Sequence, residues 1–470
     1  MDNKRYKTLI TDTLIFALGS FGSKIITFLL VPIYTNVLST EQFGTADLVM
    51  TCANLLVPII SIVIQDALLR FGLSKDCDKK SVLRCAITVF LFGSLFCLVL
   101  LPFMDFYEAI SEWKIYLVVI AISTMASNII FSYAKVKSQN KSFALCSVVQ
   151  TLILAVTNIL LLVVFPCGVK GYLIANIAAQ VGSLILLAIL THLFSDIKNS
   201  TFDKLLLKKM VAYSLPLIAN NISWWILNSA DRVMIEAYCS ASSLGLYSAA
   251  SKIPALLSIV TTIFSQAWSI SAIKEYDSDR SKTFYKEIFS AFSIIMFFGG
   301  AIVIGITKPF MHVYVGNDFF SSWTLVPFLV FGAVYYAFSS FFGAIYGALK
   351  KNFKVALSTG FAAAINIIIN FIFLGRIGVI AAAISTAVGY FVIGIFRMVD
   401  SQKLFAFNIE YSRFGANSAV LLAQTIVVSI DFYVYISSII AVFLLILINK
   451  KELKNIVKVI IRVVRSKISH

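Results

Sequence analysis

The sequence predicts an all-α, polytopic membrane protein with 14 transmembrane helices. Twelve of these form two copies of a six-helix unit, and two are left over at the C-terminus. Three observations predict this. The 470 residues are 59% hydrophobic and only 13% charged, with a mean hydropathy of +0.91. Soluble domains run about 45–50% apolar and about 25% charged. The apolar residues fall in runs near the roughly 20 residues that a spanning helix needs. The basic residues sit in short connections between the runs.

The spans read 9–34, 43–68, 83–103, 115–134, 143–165, 171–194, 210–236, 243–269, 288–307, 324–349, 355–375, 378–396, 415–430 and 433–449. Such runs are too long for barrel strands, and in lipid only helices or closed barrels satisfy their own backbone. With only 22 Gly and 8 Pro, the chain is neither collagen-like nor disordered.

Net charge is +16. In a soluble chain this would suggest nucleic acid, but here it sets orientation. If the N-terminus and every second connection are cytoplasmic, 32 of the 39 Lys and Arg lie on that side. The other side holds only Lys114, Lys170, Lys308 and Arg376, while Lys24, Arg232 and Lys252 lie within spans. Both termini are therefore expected in the cytoplasm. The basic tail after Lys450 suits anionic membrane lipids, and equally a topology signal. The seven Cys contain no CxxC and only three His are present, so no zinc or disulfide framework follows. No short cleavable leader is evident, and the first helix reads as retained.

Segment 10–71 aligns without a gap on 211–272, at an offset of 201. Ser39, Gly44 and Gln65 fall on Ser240, Gly245 and Gln266, and LSTEQFGTADLV on CSASSLGLYSAA. Six spans per copy is an even number, so both copies enter from one side and the repeat is parallel. This gives an N-terminal lobe at 1–199, a C-terminal lobe at 200–400, and the last two spans with the tail at 401–470.

Three stretches resemble one family. They are VPIYTNVLSTEQFGTADLV at 31–49, LNSADRVMIEAYCSASSLGLYSAASKI at 227–253, and the Gly-Val starts of the sixth and twelfth spans, GVKGYLIAN at 168–176 and GVIAAAIST at 378–386. The sequence looks like the polysaccharide-type flippases. These are Wzx-like transporters of lipid-linked oligosaccharides, in the superfamily that includes lipid II flippases and multidrug exporters. The resemblance covers essentially the whole chain. It implies two six-helix lobes around a central cavity, alternating access, and a polyprenyl-pyrophosphate glycan as cargo.

Charges at mid-membrane cost about 2.5–3.5 kcal/mol each, so each needs a reason. Lys24 lies about 22 Å into the first span at the helical rise. It shares a face with Thr13, Ser20 and Thr27. A pyrophosphate-binding role and an ion pair with Asp47 both fit. Asp47, Thr51, Asn54, Ser61 and Gln65 keep to roughly one face of the second span, as interhelical hydrogen-bond groups or as a cavity wall. Asp47 is a gate partner or a cation-sensing carboxylate. The seventh span carries Asn220, Asn221, Trp224, Trp225, Asn228, Asp231 and Arg232. Indole planes with amides suit sugar rings, and Trp also anchors at interfaces. Asp231 and Arg232 read as half of a gate or as a local ion pair. Lys252 and Gln266, 14 residues apart, fall on similar faces of the eighth span. Asp66 and Arg70 read as an ion pair at the inner end of the second.

No Walker A, GxSxG or HExxH motif is present, and no catalytic residue or metal site is expected. The reading is a non-enzymatic flippase in the cytoplasmic membrane. It needs no cofactor beyond a possible coupling cation, H+ or Na+. Its partners would be the lipid-linked oligosaccharide, membrane lipids, and a glycan polymerase or other assembly proteins, with no nucleic acid. A flippase for lipid II or a teichoic-type precursor, a drug exporter, and a membrane polymerase are the alternatives. The interior basic residues disfavour a cationic drug, and the short outer loops disfavour a polymerase.

Overall fold

A computed structural model describes residues 24–74, 76–275, 281–349 and 351–454. Thr13, Ser20, the first basic residues and most of the basic tail lie outside the described residues. The described residues form helices and no strand. Among them, ten helices are long and apolar enough to cross a membrane, and Lys24–Val37 and Val434–Ile448 are shorter apolar helices. The chain is a multi-pass membrane protein. It divides into two compact units, Met1–Ser248 and Ala249–His470.

In the first unit, α1 (Lys24–Val37) leads into α2 (Thr40–Ile60) through a reciprocal cap. Ser39 Oγ accepts from the Gln42 amide at 3.1 Å, and the Ser39 amide donates to Gln42 Oε1 at 3.2 Å. The expected continuous span 43–68 is interrupted. It breaks after Ile60 and restarts as α3 (Ile64–Gly72). Ile62 and Val63 adopt left-handed backbone, with φ of 51° and 53°. For β-branched residues this costs roughly 1–2 kcal/mol each. Ser61 Oγ accepts the Val63 amide at 3.1 Å and covers one of the donors freed by the break. The helical frame that placed Ser61 and Gln65 in line with Asp47 is therefore lost at the break.

Next come α4 (Lys79–Val99), a 3-10 turn (Leu101–Phe106), the short α5 (Glu108–Ser111), α6 (Lys114–Val136) and α7 (Asn140–Asn158). α7 runs on as a π turn (Ile159–Val164) into α8 (Gly168–Leu190), which packs along it, and α9 (Leu193–Lys198) follows. α6 lies against α2, α3 and α8. α10 (Lys204–Tyr238) runs 35 residues, longer than the expected 210–236. At 1.5 Å per residue that is about 52 Å, well beyond a hydrocarbon core of about 30 Å.

α11 (Ala241–Ala250) carries the repeat into three dimensions. Ser240 Oγ accepts the Ser243 amide at 3.1 Å, as Ser39 does for Gln42 in the first copy. A Cβ on Gly44 would fall on the Ala241 carbonyl oxygen, and one on Gly245 would fall on that of Thr40. These are equivalent positions at the offset of 201. The contact is reciprocal, and each glycine is required because the other copy's backbone occupies the space.

In the second unit the expected eighth span is also broken. α12 (Pro254–Glu275) starts after a turn at 251–253. Lys252 sits in that turn, so it and Gln266 do not share one helical frame. α13 (Ser281–Tyr314) is 34 residues long with Pro309 inside, exceeding the expected 288–307. A 3-10 turn (Asn317–Thr324) leads to α14 (Val326–Ala348), the buried centre of this unit. α15 (Asn352–Ile377), α16 (Ile380–Leu404), α17 (Tyr411–Ser429) and α18 (Val434–Ile448) follow. α14 packs on α12, α13, α16 and α17. Stacked rings fill the core; Trp268 lies 4.4 Å from Phe341 and donates its indole N–H to the Phe341 carbonyl at 2.9 Å. α17 and α18 are tied by a mutual amide pair, Asn417 with Asn449, at 2.8 and 3.1 Å.

Candidate functional site

The charged and polar groups of the first unit converge where the start of α2, the end of α10 and α11 meet. Arg232 Nε donates to Asp47 Oδ2 at 2.7 Å, and Arg232 Nη1 donates to the Asn228 carbonyl at 2.8 Å. Ser248 Oγ donates to the same Asp47 oxygen at 2.7 Å. Both charged side chains are largely buried, 17% and 13% exposed. A pair this shielded gains Coulomb energy that a surface pair would not. Asp231 lies beside the Arg232 guanidinium, and its charge acts on it together with that of Asp47. It accepts the Tyr247 hydroxyl and the Arg232 amide, the latter at 3.0 Å. The neighbouring charges make a latch that joins α10 to two other helices, with Arg232 on Asp47 of α2 and Asp231 on Tyr247 of α11. Beside it, Tyr107 donates to Glu236.

Tyr247 and Ser248 were missed as site residues. The signal was in the repeat, because the offset of 201 sets Ser248 opposite Asp47. Tyr107 and Glu236 carried no such signal.

Trp225 donates its indole N–H to the Thr51 carbonyl at 3.1 Å, which fixes its ring against α2. Trp224 is half-buried. The Asn221 and Asn228 amides donate back to carbonyls of their own helix, Leu217 at 3.0 Å and Trp224 at 2.7 Å. Asn54 is exposed on α2, and Lys24 is exposed at the start of α1. In the second unit Lys252 is half-buried and Gln266 exposed. The structure thus brings Asp47, Arg232, Asp231 and Trp225 together in the first unit. Asp66 and Arg70 are both exposed and form no ion pair; Lys135 is the cation acting on Asp66. That expected pairing is corrected. The two residues are four apart on α3, but both point outward and their ends do not meet.

At the opposite end of α6 a second charged cluster ties three helices. Asp196 on α9 accepts from Tyr133 at 2.8 Å and from Lys137 at 2.6 Å, with Lys80 at 3.7 Å. Burial pushes its carboxyl up. The hydrogen bonds from Lys137 and Tyr133 and the two cations outweigh this and hold it below its ordinary range. Among the described residues no group of His, Cys, Asp and Glu could hold a metal ion.

Fold and site define an all-helical, multi-pass membrane protein whose internal repeat meets itself at a buried ion pair. The chain belongs to the polysaccharide biosynthesis protein family, whose model matches residues 9–269. It is similar to "Lsg locus putative protein 1" of Haemophilus influenzae, at 22% identity over 266 residues. That match spans 54% of this chain and 64% of the relative. Among solved structures, the fold matches the lipid II flippase MurJ in an inward closed conformation, with a TM-score of 0.69 and 15% identity. The match covers 94% of this chain and 100% of that one. An inward-facing multidrug resistance MATE family transporter of the MOP superfamily matches with a TM-score of 0.63 and 15% identity, over 84% and 99%.

Proposed function

We propose that the protein is a flippase that moves a polyprenyl-pyrophosphate-linked oligosaccharide from the inner to the outer leaflet of the cytoplasmic membrane. The observation that carries this reading is the family match over 9–269 in a chain with the flippase fold. In this reading 14 spans, with both termini cytoplasmic, form lobes at 1–199 and 200–400 and an accessory pair at 401–470. The lobes rock to give alternating access. The glycan crosses in water-lined space while the lipid tail stays in the bilayer. Lys24, Arg232 and Lys252 supply positive charge for the pyrophosphate. Asn54, Gln65, Asn221, Trp224, Trp225, Asn228 and Gln266 supply amides and ring faces for sugars. Asp47 with Arg232, and Asp231 with Tyr247, form the gate at the outer end. Asp66 and Arg70 lie toward the inner end.

The chain performs no bond chemistry in this reading, so energy comes from a cation gradient or the membrane potential. The potential is worth about 2.3 kcal/mol per charge per 100 mV. Asp47 is the carboxylate proposed to sense H+ or Na+, and a glycan polymerase would act on the delivered cargo.

The test uses the full chain in proteoliposomes with three probes: a fluorescent polyprenyl-pyrophosphate oligosaccharide, fluorescent lipid II, and ethidium. Appearance of the first probe on the opposite leaflet without chain growth supports the reading. Movement of lipid II alone, ethidium efflux alone, or lengthening of the glycan overturns it in favour of the corresponding alternative.

A further inference from the structure

The break between α2 and α3 differs from the other left-handed points of the first and second units. Among the described residues, Ser138, His192, Asp431 and Tyr433 also have positive φ without being glycine. Each of these stands in a connection between helices, where the chain must turn. Ile62 and Val63 stand instead inside the apolar run PIISIVI at 58–64. Both are β-branched, the side-chain class that left-handed backbone suits least. Non-glycine residues held in this region gather at switch segments and sites, where the surrounding packing imposes the strain. Here that packing is close. The Ile64 amide donates to the Ser61 carbonyl at 2.9 Å, and the Val63 amide to Ser61 Oγ at 3.1 Å. A Cβ on Gly93 would fall on the Ile60 carbonyl oxygen, so α4 closes directly over the end of α2. Pro58, inside the last turns of α2, has no amide to donate back along the helix, which loosens α2 just before the break.

The same region holds polar groups that this arrangement leaves unsatisfied. Gln65 Oε1 on α3 and Ser127 Oγ on α6, which packs against α3, are buried with no hydrogen-bond partner among the described residues. Solvent does not reach either atom, so what satisfies them is a different arrangement of the helices that carry them. An uninterrupted helix supplies one for Gln65. It follows Asn54 by about three turns, which in a continuous helix puts its amide on the exposed face that Asn54 occupies.

We propose that α3 is a two-state segment hinged at 61–63. One state is the broken form, and in the other α2 runs on without interruption to Gly72. Straightening returns Ile62 and Val63 to right-handed backbone and takes Gln65 out of its contact with α6. The segment is tied to α10 at both ends, through Asp47 and Arg232 and through the Phe71 ring, 6.0 Å from that of Tyr213. Straightening moves α3 against α10, so it opens the ring contact and leaves the buried ion pair as the fixed end. The hinge lies within the first unit and does not depend on what the protein carries.

The experiment is double electron–electron resonance on the full chain in nanodiscs. Spin labels are carried on keto amino acids replacing Glu41 and Leu73, both exposed, which leaves the seven native Cys in place. At about 1.5 Å per residue, an unbroken helix between these positions spans about 48 Å. Two distance populations are expected, one of them at the unbroken length. Val63→Gly removes the left-handed cost and should enrich the broken population about tenfold. Ser61→Ala removes the hydroxyl that accepts the Val63 amide in the break and should enrich the unbroken population. Opposite shifts in the two variants support the hinge, and if one variant fails to fold, the direction of the other decides. A single distance that neither variant alters overturns the hinge in favour of a rigid bend. Two populations that the variants leave unchanged, or shift the same way, overturn it in favour of motion elsewhere in the segment.

Discussion

Asp47 and Ser248 occupy the same position in the two copies of the repeat, and they are hydrogen-bonded to each other at 2.7 Å. Their neighbours, Gly44 and Gly245, meet reciprocally. A self-complementary contact of this kind is what a two-fold operator makes at its axis. Only one of the two positions carries charge. The first copy supplies the carboxylate, the second a hydroxyl, and Arg232 of α10 closes the group.

The ion pair gives the first prediction. Arg232→Ala leaves the Asp47 carboxylate shielded without its cation, which costs about 3–5 kcal/mol for a buried pair. Asp47→Asn leaves the guanidinium in the same position. The double variant Asp47→Asn/Arg232→Gln should lose much less than the sum of the two. A double-mutant cycle on thermal melting measures this, and additive losses would show that the two residues act independently.

The glycine contact gives the second. Gly44→Ala and Gly245→Ala each push a methyl onto a carbonyl of the other copy, with no flexible side chain to give way. Each should lower stability by about 1–3 kcal/mol, the usual cost of overpacking. The two losses should be similar because the contact is reciprocal. Gly360→Ala, where nothing lies within 4 Å, is the control. It should be neutral or stabilising by about 0.5–1 kcal/mol, since Ala favours a helix over Gly.

Much of this was legible in the sequence, and the losses have a common cause. The apolar runs and the alignment of Gly44 with Gly245 were readable because length and offset survive without knowing side-chain direction; that the two glycines meet was not read. The helix breaks at 61–63 and 251–253 were not. Neither contains Gly or Pro within the break, and Ile62 and Val63 are residues that local preference places in a regular element. Once the break at 61–63 is missed, the phase beyond it is wrong. That is why Gln65 was assigned to the face of Asp47, whereas it lines a cleft with residues of α6, α7 and α8. The Asp66–Arg70 pair failed for a different reason. Spacing shows which residues can meet on a helix, but not that a cation of another helix, here Lys135, acts on the carboxylate.

Arg397 gives a third prediction. It is 2% exposed on α16, and among the described residues no carboxylate lies within ion-pair distance. Its guanidinium donates to Ser358 at 2.9 Å, Thr359 at 2.8 Å, and the Ser339 and Val355 carbonyls at 3.1 Å each. The planar fork reaches α14 and α15 at once, which a single ammonium cannot do. Arg397→Lys keeps the charge and should still lower stability by about 2 kcal/mol or more, since hydrogen bonds to charged groups are worth about 1.5–3 kcal/mol. Thermal melting of the purified variant checks it, and an unchanged midpoint would show that the fork does not hold these helices.

Asp196 gives the last prediction, in pH. Its carboxyl is held below the ordinary range by Lys137, Tyr133 and Lys80 despite burial, while in the unfolded chain it titrates near about 3.9. The folded state therefore binds this proton less readily than the unfolded state. Linkage then fixes the sign: the contribution is fully present above about pH 4 to 5 and is lost as the pH falls through the lower folded value. Wild-type stability should drop on acidification below about pH 4, and Asp196→Asn should flatten that limb. The variant should also be less stable than wild type at neutral pH, because Lys137 keeps its charge and loses its carboxylate. Melting midpoints across pH 3 to 7 for both proteins decide it. Parallel acid limbs would mean that other carboxylates carry the dependence and that the clamp between α6 and α9 contributes nothing measurable.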